Sequence, residues 1–249
     1  ANATVTLAAD KAAIASGTNV GKYFMGLTAA DFTATSPNYK QVEVQYTDGW
    51  LEITPVTDEV IVTITGNHDS KVYNAAEQSV TGYTTDVGTK AISVALKDGV
   101  KAEAKGTDVG KYYMGLTEND FDVTSDNYSN IKVIVNDGYL EITPITDEVV
   151  VTITGNTATG VYNATEQSVT GYTTDVGTKA INVALKEGRA AEAKGTNVGK
   201  YFMGLTEDDF DVTSTNYSNI SVVVNDGWLK ITPVTDEVIV TITGNHDTK

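Results

Sequence analysis

The histidines are the first residues to consider for chemistry, and their positions argue against catalysis. His68 and His246 fall at the same place in a stretch, ITPVTDEVIVTITGNHD, that occurs at residues 53–69 and again at 231–247. The intervening copy has Thr157 at that place, and the chain contains no cysteine. The missing third histidine argues against imidazole catalysis or zinc binding by the repeat, and neither a Cys–His pair nor a triad can be assembled. The sequence therefore predicts a protein that is not an enzyme, with no catalytic residue.

Acidic side chains are the better candidates for binding a metal. Three pairs recur where one repeated stretch passes into the next: Asp58 and Glu59, Asp147 and Glu148, and Asp236 and Glu237. Calcium is bound by several convergent carboxylate and carbonyl oxygens, so it is the one cofactor that the sequence leaves open. The alternative is that these acids protect the edge of the following strand.

A second acidic run, Glu118-x-Asp120-x-Asp122, recurs at residues 207–211. It lacks the glycine and the distal glutamate of a calcium loop, so we interpret it as a solvated helical turn. Lysine and asparagine also recur together and leave an isopeptide bond open: Lys22, Lys111 and Lys200 with Asn38, Asn127 and Asn216.

Three aromatic residues each follow an Asp-Gly pair and are candidates for ligand contact: Trp50, Tyr139 and Trp228. Another aromatic position, at Tyr23, Tyr112 and Tyr201, has the spacing Gly-x-Tyr. For these tyrosines we predict a role in the core or at a corner, similar to the tyrosine corner of immunoglobulin-like sandwiches.

Composition excludes several classes of partner. The chain has 33 acidic and 17 basic residues, a net charge of −16. Phosphate binding needs clustered Lys and Arg, so we predict no nucleic-acid partner. No window of about 18 consecutive apolar residues is present, so we predict no insertion into a membrane.

An 89-residue repeat organises the chain. Pro55, Pro144 and Pro233 lie 89 residues apart, and residues 60–148 differ from residues 149–237 at 19 of 89 positions without a gap. We therefore predict four parts: a partial first repeat at 1–57, which lacks its front third, complete second and third repeats at 58–146 and 147–235, and the first strand of a further repeat at 236–249.

Alternating apolar and polar residues predict β-strands half buried against a core, as at residues 60–65. Asp-Gly at 137–138 lies between two such runs and recurs at 48–49 and 226–227, which predicts a two-residue hairpin turn. One helical turn is expected at residues 117–121, with Thr117 as its N-cap. We predict seven or eight short strands in each complete repeat.

These elements predict an all-β protein of tandem 89-residue units, each an immunoglobulin-like sandwich or a β-grasp-like unit. The linker at residues 143–148 contains Pro144 and no run of Gly or Ser. Proline restricts its own backbone and that of its neighbour, so consecutive repeats should be joined stiffly, as in a rod.

Several motifs together resemble the MBG/YDG type of repeat. They are Tyr73-Asn74, EQSVTGY at 77–83, VGKY at 109–112, Asn127-Tyr128 and DGYLEITP at 137–144. The resemblance extends over nearly the whole chain, although Asn74 and Asn163 stand where such repeats often have Asp followed by Gly. These repeats occur in tandem in large secreted or surface-anchored bacterial proteins. The resemblance therefore implies an extracellular, cell-surface location and a structural module of stalks and adhesins.

We accordingly expect a non-enzymatic structural repeat segment, a stalk, of a bacterial cell-surface or secreted adhesin-like protein. Its partners would be neighbouring repeats of a longer chain, or copies of itself placed end to end. Two alternatives stay open. One is a subunit of an extracellular filament, in which a C-terminal strand with Val238, Val240 and Ile242 inserts into the incomplete first repeat of the next copy. The other is an adhesin module that binds a carbohydrate or a host protein through the region of Trp50.

Overall fold

The computed structural model describes residues 2–249, so residue 1, the start of the predicted first repeat, lies outside the described residues. Short strands and single 3-10 turns make up the regular structure of residues 2–249, with no α-helix among them. The all-β prediction is therefore confirmed. No helix in this part of the chain has the length and apolar character needed to cross a membrane.

Each complete repeat contains ten strands rather than the seven or eight predicted. The first repeat contains β1 (Thr4–Leu7), β2 (Gly21–Phe24), β3 (Phe32–Thr35) and β4 (Trp50–Ile53). The second contains β5 (Val60–Gly66), β6 (His68–Val72), β7 (Gln78–Thr81), β8 (Tyr83–Asp86), β9 (Ser93–Leu96), β10 (Glu103–Gly106), β11 (Gly110–Tyr113), β12 (Phe121–Thr124), β13 (Ile131–Asn136) and β14 (Tyr139–Thr143). The third contains β15 (Val149–Gly155), β16 (Thr157–Val161), β17 (Gln167–Thr170), β18 (Tyr172–Asp175), β19 (Asn182–Leu185), β20 (Glu192–Gly195), β21 (Gly199–Phe202), β22 (Phe210–Thr213), β23 (Ile220–Asn225) and β24 (Trp228–Thr232).

Two compact units divide the chain, and their bounds cut through the second repeat. The first unit comprises Ala1–Asp69, Ser79–Lys105 and Tyr112–Leu140. The second comprises Ser70–Gln78, Gly106–Lys111 and Glu141–Lys249. Three short segments of the second repeat, at residues 70–78, 106–111 and 141–146, thus belong to the same compact unit as the third repeat.

The second unit contains two three-stranded sheets, and each sheet has one parallel and one antiparallel pair of strands. In one sheet β15 lies between β18 and β23, and in the other β24 lies between β16 and β21. β23 is parallel to β15, with Val149 opposite Ile220, and β24 is parallel to β16, with Thr157 opposite Trp228. The antiparallel pairs β17–β20 and β19–β22 complete the repeat. In the first unit, β5 likewise lies between β13 and β8.

The predicted hairpin at the Asp-Gly pairs is wrong. β23 and β24 belong to different sheets and do not pair with each other, since β23 pairs with β15 and β24 pairs with β16 and β21. A type I′ turn requires positive φ at both turn residues, and neither Asp226 nor Gly227 has it. Close backbone approach explains the glycine instead: a Cβ on Gly227 would lie 2.6 Å from the carbonyl oxygen of Asn156.

Alternate residues of the long strands form the core, as the sequence pattern predicts. In β15, Val149, Val151 and Ile153 are buried and pack with Leu205 and Phe210. A second cluster of the third repeat contains Ala193, Leu229 and Ile231. In the first unit, Val62 and Ile64 of β5 pack with Leu116 and Phe121.

The first repeat has fewer strand pairings than the complete repeats. Residues 42–47, which are equivalent to β13 and β23, form no strand, and β4 pairs only with β2. Leu51 is consequently 38% exposed, whereas its equivalent Leu229 is 2% exposed. The fold of this repeat is therefore open along one edge.

Candidate functional site: the junction between repeats

One amide side chain is buried where the second repeat meets the third. Asn216 of the third repeat is 2% exposed. Its Oδ1 accepts a hydrogen bond from the backbone nitrogen of Val109 at 2.8 Å, and its Nδ2 donates to the carboxylate of Asp108 at 2.9 Å. Because a buried amide is costly unless its hydrogen bonds are made, this contact ties residues 106–111 of the second repeat to the third repeat.

The same contact occurs one repeat earlier, within the first unit. Asn127 accepts a hydrogen bond from the backbone nitrogen of Val20 at 2.8 Å and donates to the side-chain oxygen of Asn19 at 3.1 Å. Asn127 and Val20 each lie 89 residues before Asn216 and Val109. The contact is therefore a property of the repeat.

A tyrosine shapes the turn that each repeat presents to the next one. The hydroxyl of Tyr23 donates to the carbonyl oxygen of Asn19 at 2.8 Å, and that of Tyr201 donates to Asn197 at 2.9 Å. The predicted corner role is thus confirmed for these two tyrosines. The ring of Tyr201 lies against Gly195, where an added Cβ would come within 2.3 Å of it. The turn itself is accordingly built within its own repeat.

Linker backbone pairs with the repeat that follows it. Ile145 forms a parallel bridge with Tyr217, since Ile145 donates to the carbonyl oxygen of Asn216 at 3.0 Å and accepts from the nitrogen of Ser218 at 3.0 Å. The earlier linker forms the equivalent bridge through Val56. These hydrogen bonds leave little freedom to the residues that join one repeat to the next.

The motif Asn-Tyr-Ser-Asn, at residues 127–130 and 216–219, carries most of these contacts. Its serine and second asparagine donate to linker carbonyl oxygens, at 3.1 Å from Ser218 and 3.3 Å from Asn219. The first repeat has Asn-Tyr-Lys-Gln at residues 38–41, and those side chains are exposed. Sequence reasoning singled out Asn127 and Asn216 but missed their role at the junction, although this difference between copies was a usable signal.

An aromatic pair packs beside the same junction. The rings of Tyr73 and Tyr217 meet edge to face, with centroids 5.8 Å apart. Tyr73 is buried, whereas its equivalent in the third repeat, Tyr162, is exposed. Edge-to-face pairs add stabilisation to the area that they bury.

Aspartates of the Asp-Gly pairs hold a neighbouring loop in place. The carboxylate of Asp226 accepts hydrogen bonds from the backbone nitrogens of Gly204 and Leu205, each at 3.0 Å. Asp48 makes the equivalent bonds in the first repeat. Partial burial opposes ionisation of Asp48, but hydrogen bonds, first from Gly26, hold the pKa of its carboxyl below the usual value.

The acidic run at residues 207–211 begins with a 3-10 turn, Glu207–Asp209. Its equivalent, Glu118–Asp120 with Thr117 as N-cap, confirms the single helical turn predicted at residues 117–121. The carboxylate of Asp209 accepts hydrogen bonds from the nitrogen and hydroxyl of Thr206, at 2.8 and 3.1 Å, and pairs with Arg189. The backbone hydrogen bond of Thr206 is the main reason that the pKa of Asp209 lies below its usual value; burial opposes this shift and Arg189 supports it. Capping is thus the structural role of this acid.

The linker acids proposed for calcium are exposed at all three positions. Glu148 accepts a hydrogen bond from the hydroxyl of Ser221. Within residues 2–249, the structure brings no three His, Cys, Asp or Glu side chains into a group that could hold a metal ion.

The candidate ligand-contact residues lie on sheet faces beside a second aromatic residue. Trp50 is exposed and lies opposite the exposed Phe24 across β4 and β2. Trp228 is half-buried and lies opposite the exposed Phe202. Tyr139 is also half-buried, and its ring stacks on His68 with centroids 5.4 Å apart.

A lysine accompanies two of these aromatic pairs, which bears on the isopeptide hypothesis. The Nζ of Lys22 lies 3.7 Å from the ring centroid of Trp50, and that of Lys200 lies 4.5 Å from the centroid of Trp228. Asn127 and Asn216 instead contact the preceding repeat. These contacts involve other partners, and the isopeptide hypothesis stays a prediction.

Comparison with known proteins assigns no family. No family model matches the sequence, and no curated protein matches it. Among solved structures, the four N-terminal Ig domains of Dscam1 isoform 9.44 show a likeness at 12% identity and a TM-score of 0.19. The alignment covers 86% of this chain and 55% of that one. A likeness at this level carries no argument about fold or function.

Proposed function

We propose that the chain is a structural stalk segment of a bacterial surface or secreted protein, with no enzymatic activity of its own. The observation that carries the proposal is the junction contact of Asn216 with Val109 and Asp108, repeated by Asn127 one repeat earlier. A load-bearing or spacing role requires each repeat to be fixed to the next one. Hydrogen bonds of the Asn216 side chain and of the linker backbone at Ile145 meet that requirement.

The resemblance to MBG/YDG repeats supports the same proposal and an extracellular, cell-surface location. The proposed partners are neighbouring repeats of the same kind. Because the same junction recurs, each repeat would be fixed to the one before it, as in other repeat proteins whose repeats contact only their neighbours.

Small-angle X-ray scattering of the 249-residue protein tests the stalk proposal. A compact globular protein of this length would have a radius of gyration of about 18 Å. A stiff row of repeats should give a clearly larger value and a linear cross-section region. The double variant Asn127→Ala, Asn216→Ala should keep its strands but lose stiffness, whereas Asn38→Ala, at an equivalent position whose side chain is exposed, is the matched control. A radius near the compact value, or no effect of the double variant, would contradict the proposal.

A second candidate function is glycan or protein binding through the aromatic faces. It is favoured by the exposed pair of Phe24 and Trp50 with Lys22 beside it; the third repeat has the same residues' equivalents, with Trp228 half-buried. Flat aromatic rings stack on apolar faces of ligands, and their edges and neighbouring lysine provide polar contacts.

Tryptophan fluorescence tests this second candidate, because Trp50 and Trp228 are the only tryptophans. In a Trp228→Phe variant, Trp50 is the sole probe for titration with soluble glycans of defined sequence. Saturable quenching that is lost in Phe24→Ala would support binding at this face. Unchanged fluorescence with every glycan would leave the stalk as the only function supported.

A further inference from the structure

Two lysines lie directly opposite each other on the outer face of a sheet in the third repeat. Lys200 in β21 pairs with Lys230 in β24, and both side chains are exposed. Like charges directly opposite each other across antiparallel strands destabilise a sheet. Within residues 2–249, neither lysine has a carboxylate at ion-pair distance. The free protein therefore carries an unbalanced positive pair at this place.

The equivalent pair of the first repeat is balanced. Lys22 in β2 lies opposite Glu52 in β4, so the two charges attract each other. The second repeat has Glu141 at the place of Lys230. The third repeat is thus the one with a lysine on both strands, in a chain whose net charge is −16.

An aromatic pair lies two residues further along the same two strands. Phe202 lies opposite Trp228, and Phe202 is 59% exposed. The Nζ of Lys200 lies 4.7 Å from the ring centroid of Phe202 and 4.5 Å from that of Trp228. The ammonium group is therefore placed beside a flat apolar surface, and a ligand that binds the ammonium group can contact both rings.

The third strand of the sheet adds hydroxyl groups to this face. In β16, Thr157 lies opposite Trp228 and Thr159 lies opposite Lys230, and both threonines are exposed. Hydroxyl groups donate and accept hydrogen bonds without adding charge. The outward residues of β16, β21 and β24 include no acid. We call this surface the cationic face, formed by Thr157, Thr159, Lys200, Phe202, Trp228 and Lys230.

Differences between the two complete repeats are concentrated on this face. The repeats differ at 19 of 89 positions overall, but at five of the eight outward positions of this sheet. The second repeat has His68, Ser70, Tyr113, Tyr139 and Glu141 where the third has Thr157, Thr159, Phe202, Trp228 and Lys230. The outer face thus changes its chemistry from one copy to the next, so we expect its ligand to be specific to one repeat.

We propose that the cationic face of the third repeat binds an anionic polysaccharide built from uronic acids. A uronate carries its carboxylate on a pyranose ring, so it presents one negative charge beside an apolar ring face. The carboxylate would form charge-assisted hydrogen bonds with Lys200 and Lys230, while the ring stacks on Phe202 and Trp228. Binding also relieves the repulsion between the two lysines. This inference rests on the second candidate function, glycan binding, and is independent of the stalk role.

Trp228 fluorescence in a Trp50→Phe variant tests the class of ligand. The probe is an oligogalacturonate of about six sugars, and the matched control is the same oligomer with its carboxyls methyl-esterified. We expect saturable quenching by the oligogalacturonate that weakens as salt is added, and binding of the ester that is about tenfold weaker or less. Equal binding of the ester would overturn the anionic class but leave glycan binding supported, whereas binding of neither oligomer would overturn both. Equal binding of poly-glutamate would also overturn the proposal, because charge without a sugar ring would then be sufficient.

Charge substitutions test the lysine pair itself. Lys230→Glu recreates the Lys–Glu pair of the first repeat, so it should raise the denaturation midpoint of the free protein and weaken oligogalacturonate binding by about tenfold or more. Lys179→Glu, at an exposed lysine outside the cationic face, makes the same change in net charge and is the matched control. Equal weakening by both variants, or none by Lys230→Glu, would refute the site.

The second repeat allows the opposite test. Glu141→Lys gives it a lysine at the place of Lys230, so this variant should create a second oligogalacturonate site in isothermal titration calorimetry. An unchanged stoichiometry would overturn the lysine pair as the feature that makes the third repeat the binding one.

Discussion

The side-chain oxygen of Asn216 accepts a hydrogen bond from the backbone nitrogen of Val109, a residue 107 positions earlier in the chain. The contact bridges two repeats, and the Asn216 side chain is buried. Removal of the amide in Asn216→Ala would leave the Val109 N–H without this partner, at a cost of about 1–3 kcal/mol. Hydrogen exchange of the Val109 amide should become faster by roughly fivefold to a hundredfold, since each 1.4 kcal/mol is a factor of about ten in an equilibrium.

The first repeat provides the control for that experiment. Asn38 is the equivalent residue, but its side chain is exposed. Asn38→Ala should change stability by no more than about 0.5 kcal/mol, as is usual for surface substitutions. Equal effects of the two alanine variants would mean that the junction is not what Asn216 stabilises.

The close approach of Gly155 and Gly227 gives a second prediction. A Cβ on Gly155 would lie 2.3 Å from the backbone nitrogen of Gly227, which cannot move without separating β15 from β23. Gly155→Ala should therefore destabilise the third repeat by about 1–3 kcal/mol or more. Chemical denaturation followed by Trp228 fluorescence measures this loss.

A matched glycine tests whether space is the cause. An added Cβ on Gly244 would have no atom within 4 Å in the single chain. Gly244→Ala at low protein concentration should accordingly leave the denaturation midpoint unchanged. If Gly155→Ala proved equally neutral, the close backbone approach would not explain these glycines.

Period-two patterning was sufficient to predict the all-β class and the buried face of the first strand. The residues Val149, Val151 and Ile153 are buried as expected, because each strand covers a core on one side only. The direction of the strands was not predictable in the same way. Asp-Gly is typical of hairpins, and only the three-dimensional pairing shows that Gly227 serves close packing instead.

The junction was also missed, for a different physical reason. Asn216 and Val109 are far apart in sequence, and a polar Asn-Tyr-Ser-Asn run has the composition of a surface loop. Its burial depends on the neighbouring repeat, which no local pattern reports. Comparison of copies was informative here, because residues 38–41 depart from the motif in the repeat whose side chains are exposed there.

Left-handed backbone at two alanines gives a third prediction. Ala75 and Ala164 have φ of 61° and 62°, in a conformation that glycine adopts more readily. Ala164→Gly should stabilise the third repeat by about 0.5–1 kcal/mol, since the relief of backbone strain exceeds the entropy gained by the unfolded chain. A lower melting temperature for this variant would contradict the expected sign.

The capping carboxylate of Asp209 gives a prediction on pH. The hydrogen bond from Thr206, followed by the opposing effect of burial and the support of Arg189, keeps the pKa of Asp209 lower in the folded protein than the usual value. A carboxyl with a lowered folded pKa stabilises the fold above its unfolded pKa of about 4 and loses this contribution as the pH falls through the folded value. Asp209→Asn should therefore be less stable than the unmodified protein at neutral pH, with the difference shrinking below about pH 4.

Denaturation midpoints measured from pH 7 to pH 3 test this, and Asp208→Asn, on the exposed neighbour, is the control that should stay close to the unmodified protein throughout. A difference between Asp209→Asn and the unmodified protein that does not change with pH would show that the ionised carboxylate is not the stabilising species.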